Sequence, residues 1–229
     1  LVVWTGLSLT LFRLPTAPAV RVAALRYDAG VPWSAVSKFS ELTRQAAREG
    51  AQIIVWPEVA IEGDPQVTNT AEFRKLAAET NAYLGLGYFV EVTDRLWRNE
   101  TTVLSPDGQF LGVYGKDHPV IFAGETSAMR GTYPVYETPL GRIGTIICYD
   151  LDFTDTARKI TRNGAQLILV PSHDWPAIAT MHYTHLVFRA VENRVAMVKA
   201  DNSGNDSVII DSYGRILAAA ITPGGDKTG

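Results

Sequence analysis

The residue types that do covalent chemistry on a carbonyl are a nucleophile, a base and a cation, and this chain carries one of each just past an apolar run. Its single cysteine, Cys148, follows Ile143-Gly144-Thr145-Ile146-Ile147 and precedes Tyr149-Asp150, the pattern of a nucleophile at the exposed end of a buried strand. A lone thiol is by default an inert core residue, so the reading depends on what other strand ends carry. Ile53-Ile54-Val55-Trp56 is an apolar, partly β-branched run stopped by Pro57, which sets Glu58 beyond a second buried strand as a candidate general base. Phe110-Leu111-Gly112-Val113-Tyr114 leads through Gly115 to Lys116, followed by Asp117-His118-Pro119 and, after an apolar stretch, by Gly124-Glu125.

Alternating strands and helices must position these groups. Val20 to Arg26 reads as a strand, and Trp33, Val36, Phe39, Leu42 and Ala46 recur at helical spacing before Gly50. Asn69 and Glu72 predict a capping box for a helix running to about Asn81. Tyr83 to Val90, Glu100 to Leu104 and Gln109 to Tyr114 read as strands, the last two joined by the turn Ser105-Pro106-Asp107-Gly108. Tyr133 to Thr138 and Arg142 to Cys148 form a pair around Pro139-Leu140-Gly141. A helix from about Thr154 to Arg162, a strand Leu167 to Val170 and a helix from about Met181 to Arg194 follow. The last strands are Val195 to Ala200, Ser207 to Asp211 and Arg215 to Ala219. Hairpins mixed with helix-separated strands fit two helix-covered sheets of an α/β protein better than a dinucleotide-binding sheet or a barrel.

Several segments together resemble the nitrilase, or carbon–nitrogen hydrolase, superfamily, which includes the nitrilase-like domain of apolipoprotein N-acyltransferases. Trp56-Pro57-Glu58 resembles its base segment, Tyr114-Gly115-Lys116 with His118-Pro119 its lysine segment, and Gly144 to Asp150 its nucleophile segment. Arg189-Ala190-Val191-Glu192-Asn193-Arg194 with Asn202-Ser203-Gly204 is similar to its C-terminal region. The resemblance runs from about Val20 over nearly the whole chain. It implies a four-layer α-β-β-α sandwich that pairs through its helical face as a homodimer, a small-molecule amide substrate, and no cofactor.

In this reading Glu58 removes the Cys148 proton, since a thiol near pKa about 8.5 is only a few per cent thiolate at neutral pH. The same carboxyl is expected to return the proton to the leaving amine, as a general acid–base group beside the reacting atoms does. Lys116 and the backbone N–H of Tyr149 offset charge on the tetrahedral oxygen, and a thioester on Cys148 remains for water or a second amine to collect. Glu125 resembles the family's second glutamate, which holds the lysine charged and oriented. Asp150 is expected either to fix the turn after the nucleophile or to cap the next helix. Trp175, Tyr149 and His173 are candidates for the pocket wall.

Other readings fit less of the sequence. A Cys148–His173 or Cys148–His185 protease-like pair leaves Glu58 and Lys116 without a role. His182 and His185 are wrongly spaced for a helical metal site. Gly85-Leu86-Gly87 lacks the third glycine of a dinucleotide fingerprint. A non-catalytic module on the same fold would be expected to have lost part of the triad. A formal charge of -3 and pI near 5.8, with no Lys/Arg-rich run, argue against nucleic acid. One cysteine excludes an intramolecular disulfide. Residues 19–229 are read as one domain.

Residues 1–14 carry one charged side chain, Arg13, ahead of Pro15-Thr16-Ala17-Pro18. They are too few to span a bilayer, which takes about 20 residues, and are read either as the end of a membrane helix or as a surface-packed arm. The catalytic domain is accordingly either membrane-associated and extracytoplasmic, or cytoplasmic. The sequence points to hydrolysis of a small amide; acyl transfer from phospholipid to an amine, as in the lipoprotein acyltransferases, is the alternative.

Overall fold

The computed structural model describes residues 19–26, 35–127, 130–175, 177–202 and 206–220. Leu1 to Leu14 lie outside the described residues, as does Trp33. Within them, no helix is long and apolar enough to cross a membrane.

Two sheets form the centre. The first runs β1 (Val22–Ala24), β2 (Ile53–Val55), β4 (Tyr83–Thr93), β5 (Leu96–Leu104) and β6 (Phe110–Gly115), with β3 (Ile61–Glu62) on β4 and β7 (Glu125–Thr126) on β5. The second is ordered β13 (Ile216–Ala220), β12 (Ser207–Ile210), β11 (Ala196–Asp201), β10 (Leu167–Ser172), β9 (Gly141–Thr145) and β8 (Val135–Thr138). Helices α1 (Val36–Arg48) and α2 (Thr70–Thr80) belong to the first sheet, α3 (Thr154–Arg162) and α4 (Ala179–Asn193) to the second.

The period-two alternation of buried strands sorts side chains between cores. Ile54 and Trp56 pack with Phe39 of α1 and Phe73 of α2, whereas Ile53 and Val55 join Leu169, Val198 and Ala200 of the opposite sheet. In β10, Ile168 and Val170 pack with Ala157 and Ile160 of α3 and Leu186 of α4, while Leu169 faces the first sheet. These three clusters are what a helix–sheet–sheet–helix stacking requires. Trp56 is fully buried, yet its indole N–H donates to Thr43 Oγ1 at 2.8 Å, so its burial leaves no polar atom stranded.

Two glycines set the separation at the site. A Cβ on Gly85 would lie 2.7 Å from Leu169 Cδ1 across the sheets, and one on Gly87 would lie 2.2 Å from the Pro57 carbonyl oxygen. The Gly85-Leu86-Gly87 run therefore serves close approach, and it is Gly87 that lets the segment carrying Glu58 lie against β4.

The structure departs from the expected elements in four places. Asn69 has φ 55 and makes no side-chain cap, because a capping box needs an extended N-cap residue. The strand toward the cysteine ends at Thr145, and Cys148 opens a 3₁₀ turn, Cys148–Asp152. The strands β4 and β5 run to Thr93 and from Leu96, longer than the apolar pattern reached, since backbone pairing continues through polar residues. The two-residue strands β3 and β7 are too short to leave a periodic signal, and β7 draws Glu125 into register with Trp97.

Candidate active site

Glu58 and Lys116 leave the first sheet, Cys148 leaves the second, and all three line one cavity of about 280 Å³. Two unusual backbone conformations hold the reacting groups. Cys148 has φ 42, and Val59, directly after Glu58, has φ 51; the left-handed region is costly for a β-branched residue and is retained only where surrounding contacts enforce it.

The first cluster is built around Lys116, which is fully buried. Its Nζ donates to Glu58 Oε1 at 2.8 Å and lies 2.9 Å from Glu125 Oε2. Asn99 Nδ2 also bridges the two carboxylates, donating to Glu58 Oε1 at 2.5 Å and Glu125 Oε1 at 3.2 Å. The Val120 N–H donates to Glu125 Oε2 at 2.7 Å. Burial alone would lower the lysine's proton affinity, but Glu58, Cys148 and Glu125 outweigh it and keep the ammonium charged. Burial lifts the Glu125 carboxyl above its ordinary value against the pull of Lys116, with Glu58 adding to the rise.

Cys148 is buried, and burial pushes its thiol well above the ordinary value; the charges of Glu58 and Asp174 add to this and Lys116 opposes it. The resting group is thus a thiol, and Asp174 Oδ1 lies 3.5 Å from its Sγ. Asp150 is fully buried behind the nucleophile. It accepts from the N–H of Ile147 at 3.0 Å, from the N–H of His118 at 2.9 Å and from the Tyr114 hydroxyl at 2.7 Å. Its bond to the Ile147 N–H closes the start of the 3₁₀ turn that carries Cys148.

Tyr149, His173 and Trp175 line the cavity. Trp175 is 50% exposed and tilts against Phe122, 82% exposed, at 5.8 Å between ring centroids. His118 instead stacks on Phe153 at 3.5 Å and is not part of the lining.

A second buried cluster was not read from the sequence. Lys199 Nζ donates to Asp174 Oδ2 at 2.8 Å, to Asp201 and to the Asp206 carbonyl at 3.0 Å. His182 Nδ1 lies 2.8 Å from Asp174 Oδ1, and Asp152 Oδ1 lies 3.1 Å from His182 Nε2 and 2.7 Å from His185 Nδ1. Burial raises the Asp174 carboxyl, but the His182 hydrogen bond and the Lys199 charge prevail and hold it well below the usual carboxylate range. The signal available was charge in an apolar strand: Lys199 and Asp201 alternate with Val198 and Ala200. Asn99 offered no comparable signal, being one polar residue in the Arg98-Asn99-Glu100 run.

Comparison with known proteins places these groups in context. Residues 20–227 match the family model described as carbon-nitrogen hydrolase. The chain is 30% identical over 221 residues to an apolipoprotein N-acyltransferase of Geobacter metallireducens, aligning 84% of this chain but spanning only 42% of that protein's length. It is 26% identical over 221 residues to the omega-amidase of Homo sapiens, covering 82% of this chain and 79% of that one. Among solved structures, the amidase from Nesterenkonia sp. AN1 in complex with butyramide superposes with TM-score 0.74 at 19% identity, over 89% of this chain and 87% of that one. The carbon-nitrogen hydrolase from Helicobacter pylori G27 gives 0.75 at 18% identity, over 89% and 86%.

Proposed function

Since the chain belongs to the carbon-nitrogen hydrolase family, we propose that it cleaves a small amide through a thioester on Cys148, with Glu58 as base and Lys116 as the cation at the tetrahedral oxygen. The observation that carries this reading is the convergence of Glu58, Lys116 and Cys148, from two different sheets, on one cavity.

The steps balance on these residues. Lys116 and Asn99 hold Glu58 Oε1, which leaves Oε2 to take the thiol proton as Sγ bonds to the carbonyl carbon and the carbonyl electrons move onto oxygen. Lys116 and the Tyr149 N–H meet that oxygen. Collapse breaks the C–N bond, and Glu58 returns the proton to the departing nitrogen. Water then gives a proton to Glu58 while its oxygen bonds to the thioester carbon; the C–S bond breaks, and sulfur recovers the proton. Because the thiol rests protonated in a buried site, proton removal and attack are coupled, and a base beside it matters more than a depressed thiol pKa. Glu125 keeps Lys116 in place.

A second reading is favoured by the mouth of the cavity. Phe122, just before the Glu125 segment, lines the cavity together with Trp175 and Met181 (45% exposed). Exposed apolar groups gathered at a cavity mouth suit a hydrocarbon acyl group, as acyl transfer from a phospholipid to an amine would need. Mass spectrometry of Cys148 after incubation with short aliphatic amides or with phospholipid vesicles separates the readings. A thioester from the amide, discharged by water, is expected; a phospholipid-derived acyl group would replace hydrolysis with transfer, and a Cys148 that is never acylated while turnover continues would overturn both.

A further inference from the structure

Cys148, Asp174 and His182 form a second constellation on the nucleophile, distinct from the Glu58–Lys116 pair. All three are buried, and one ligand atom from each lies within 4.8 Å of the others. We infer that they constitute a site for a thiophilic divalent cation, Zn²⁺ in the first instance, whose binding caps the nucleophile and blocks turnover reversibly.

The donor set is what zinc selects: one thiolate, one imidazole nitrogen and one carboxylate oxygen. Sγ and Asp174 Oδ1 stand 3.5 Å apart, close to the roughly 3.5 Å that bonds of about 2.3 Å to sulfur and about 2.0 Å to oxygen subtend at a tetrahedral angle. His182 Nδ1 is 2.8 Å from the same oxygen, so a small opening of that pair admits the ion between them. The outer contacts are already those of a metal site. Lys199 occupies Asp174 Oδ2 and leaves Oδ1 toward the cysteine. His182 Nε2 is fully buried and makes no hydrogen bond, with Asp152 Oδ1 3.1 Å away to one side. A ring that ligates through Nδ1 carries its proton on Nε2, where that carboxylate stands ready to receive it. Cys148, His182 and Asp152 line the cavity, which supplies an approach and room for a water as fourth ligand.

Binding displaces the Cys148 thiol proton to solvent, and no electrons are transferred. Occupancy therefore strengthens as pH rises, and the capped sulfur can attack neither an amide nor an alkylating agent.

The test uses the whole chain and two readouts that do not depend on turnover. Equilibrium dialysis against Zn²⁺ should give one ion per chain, and Co²⁺ should show a thiolate-to-cobalt charge-transfer band. Zn²⁺ should protect Cys148 from iodoacetamide, with EDTA restoring the reaction. His182→Ala removes a ligand and should weaken Zn²⁺ binding by more than the roughly 10- to 100-fold that loss of an outer partner costs; His182→Gln serves if the alanine variant does not fold. Zn²⁺ bound as tightly by the His182 variants as by the parent, Co²⁺ bound without the charge-transfer band, or no binding at all would each overturn the site. Because none of these needs a substrate, failure here and failure of the amidase reading are told apart: an inactive chain that still binds Zn²⁺ through Cys148 and His182 loses only the proposed activity.

Discussion

The two halves of the molecule use the same strand plan and the same electrostatic device, and put them to different uses. In the first, β1, β2 and β4 are parallel, linked through α1 and α2, and followed by antiparallel β5 and β6. In the second, β9, β10 and β11 are parallel, linked through α3 and α4, and followed by antiparallel β12 and β13. Each half buries one lysine between two carboxylates: Lys116 with Glu58 and Glu125, Lys199 with Asp174 and Asp201. A carboxylate follows the second parallel strand in both, Glu58 after β2 and Asp174 after β10. Lys116, however, stands at a strand end on the cavity wall, whereas Lys199 lies within β11 and is absent from the lining. One cation is thus placed where charge develops during the proposed reaction, and the other where it holds a loop beside the nucleophile. Identical pairing chemistry does not make identical sites; access to the cavity separates them.

That contrast can be broken most directly by removing each carboxylate's charge. Glu58→Gln should cut kcat about 10³-fold, within the range for loss of a positioned base, with little change in the circular dichroism spectrum. Asp174→Asn should cost turnover much less while lowering the thiol pKa, because Asp174 is one of the charges raising it. The iodoacetamide–pH profile of Cys148 should move to lower pH in that variant. Equal losses of turnover, or an unmoved profile, would erase the distinction.

Removing the cations probes what the halves share. Lys116→Met and Lys199→Met each leave two buried carboxylates without their partner, and each should lose about 3–5 kcal/mol in denaturant unfolding. A negligible loss for either would show that its cluster rearranges or takes up a proton without cost. A smaller effect is expected from Gly87→Ala, whose Cβ would meet the Pro57 carbonyl oxygen. Strain of about 1–3 kcal/mol in denaturant unfolding is expected, with reduced kcat from a displaced Glu58. The mildest test is alkaline titration. Burial lowers the Lys199 proton affinity, but Asp201 and Asp174 overcome it and push its pKa up to about 12. The folded value lies above the unfolded one, so this stabilisation is complete below about 10.4 and is lost as pH rises toward about 12. Unfolding free energy measured across that interval should fall in the parent and stay flatter in Lys199→Met.

Legibility tracked how local the physical cause was. The helix expected from about Thr154 to Arg162 coincides with α3, and the apolar run ending at Pro57 contains β2, because both signals lie within the segment itself. Asn69 misled, since side-chain types can offer a capping box that the backbone does not adopt. Glu125 could be matched to a family pattern, yet its strand pairing with Trp97 comes from a partner 28 positions away and has no local trace. Asp174, His182 and Lys199 were individually visible as polar residues near strand ends or on a helix; nothing in their spacing tied them to Cys148.

By itself the sequence determined the alternation of elements, the three apolar runs ending near Glu58, Lys116 and Cys148, and through them the family, because strand burial and chain breaks are encoded in neighbouring residues. Only the tertiary structure decided that Asn99 bridges the two glutamates, that Asp174 stands beside the thiol, and that a second lysine clamp lies behind it. Those depend on the distance between two sheets, which is set by side-chain volumes such as that of Leu169 facing Gly85, and on charges brought together from remote parts of the chain in a medium where burial makes each pairing decisive.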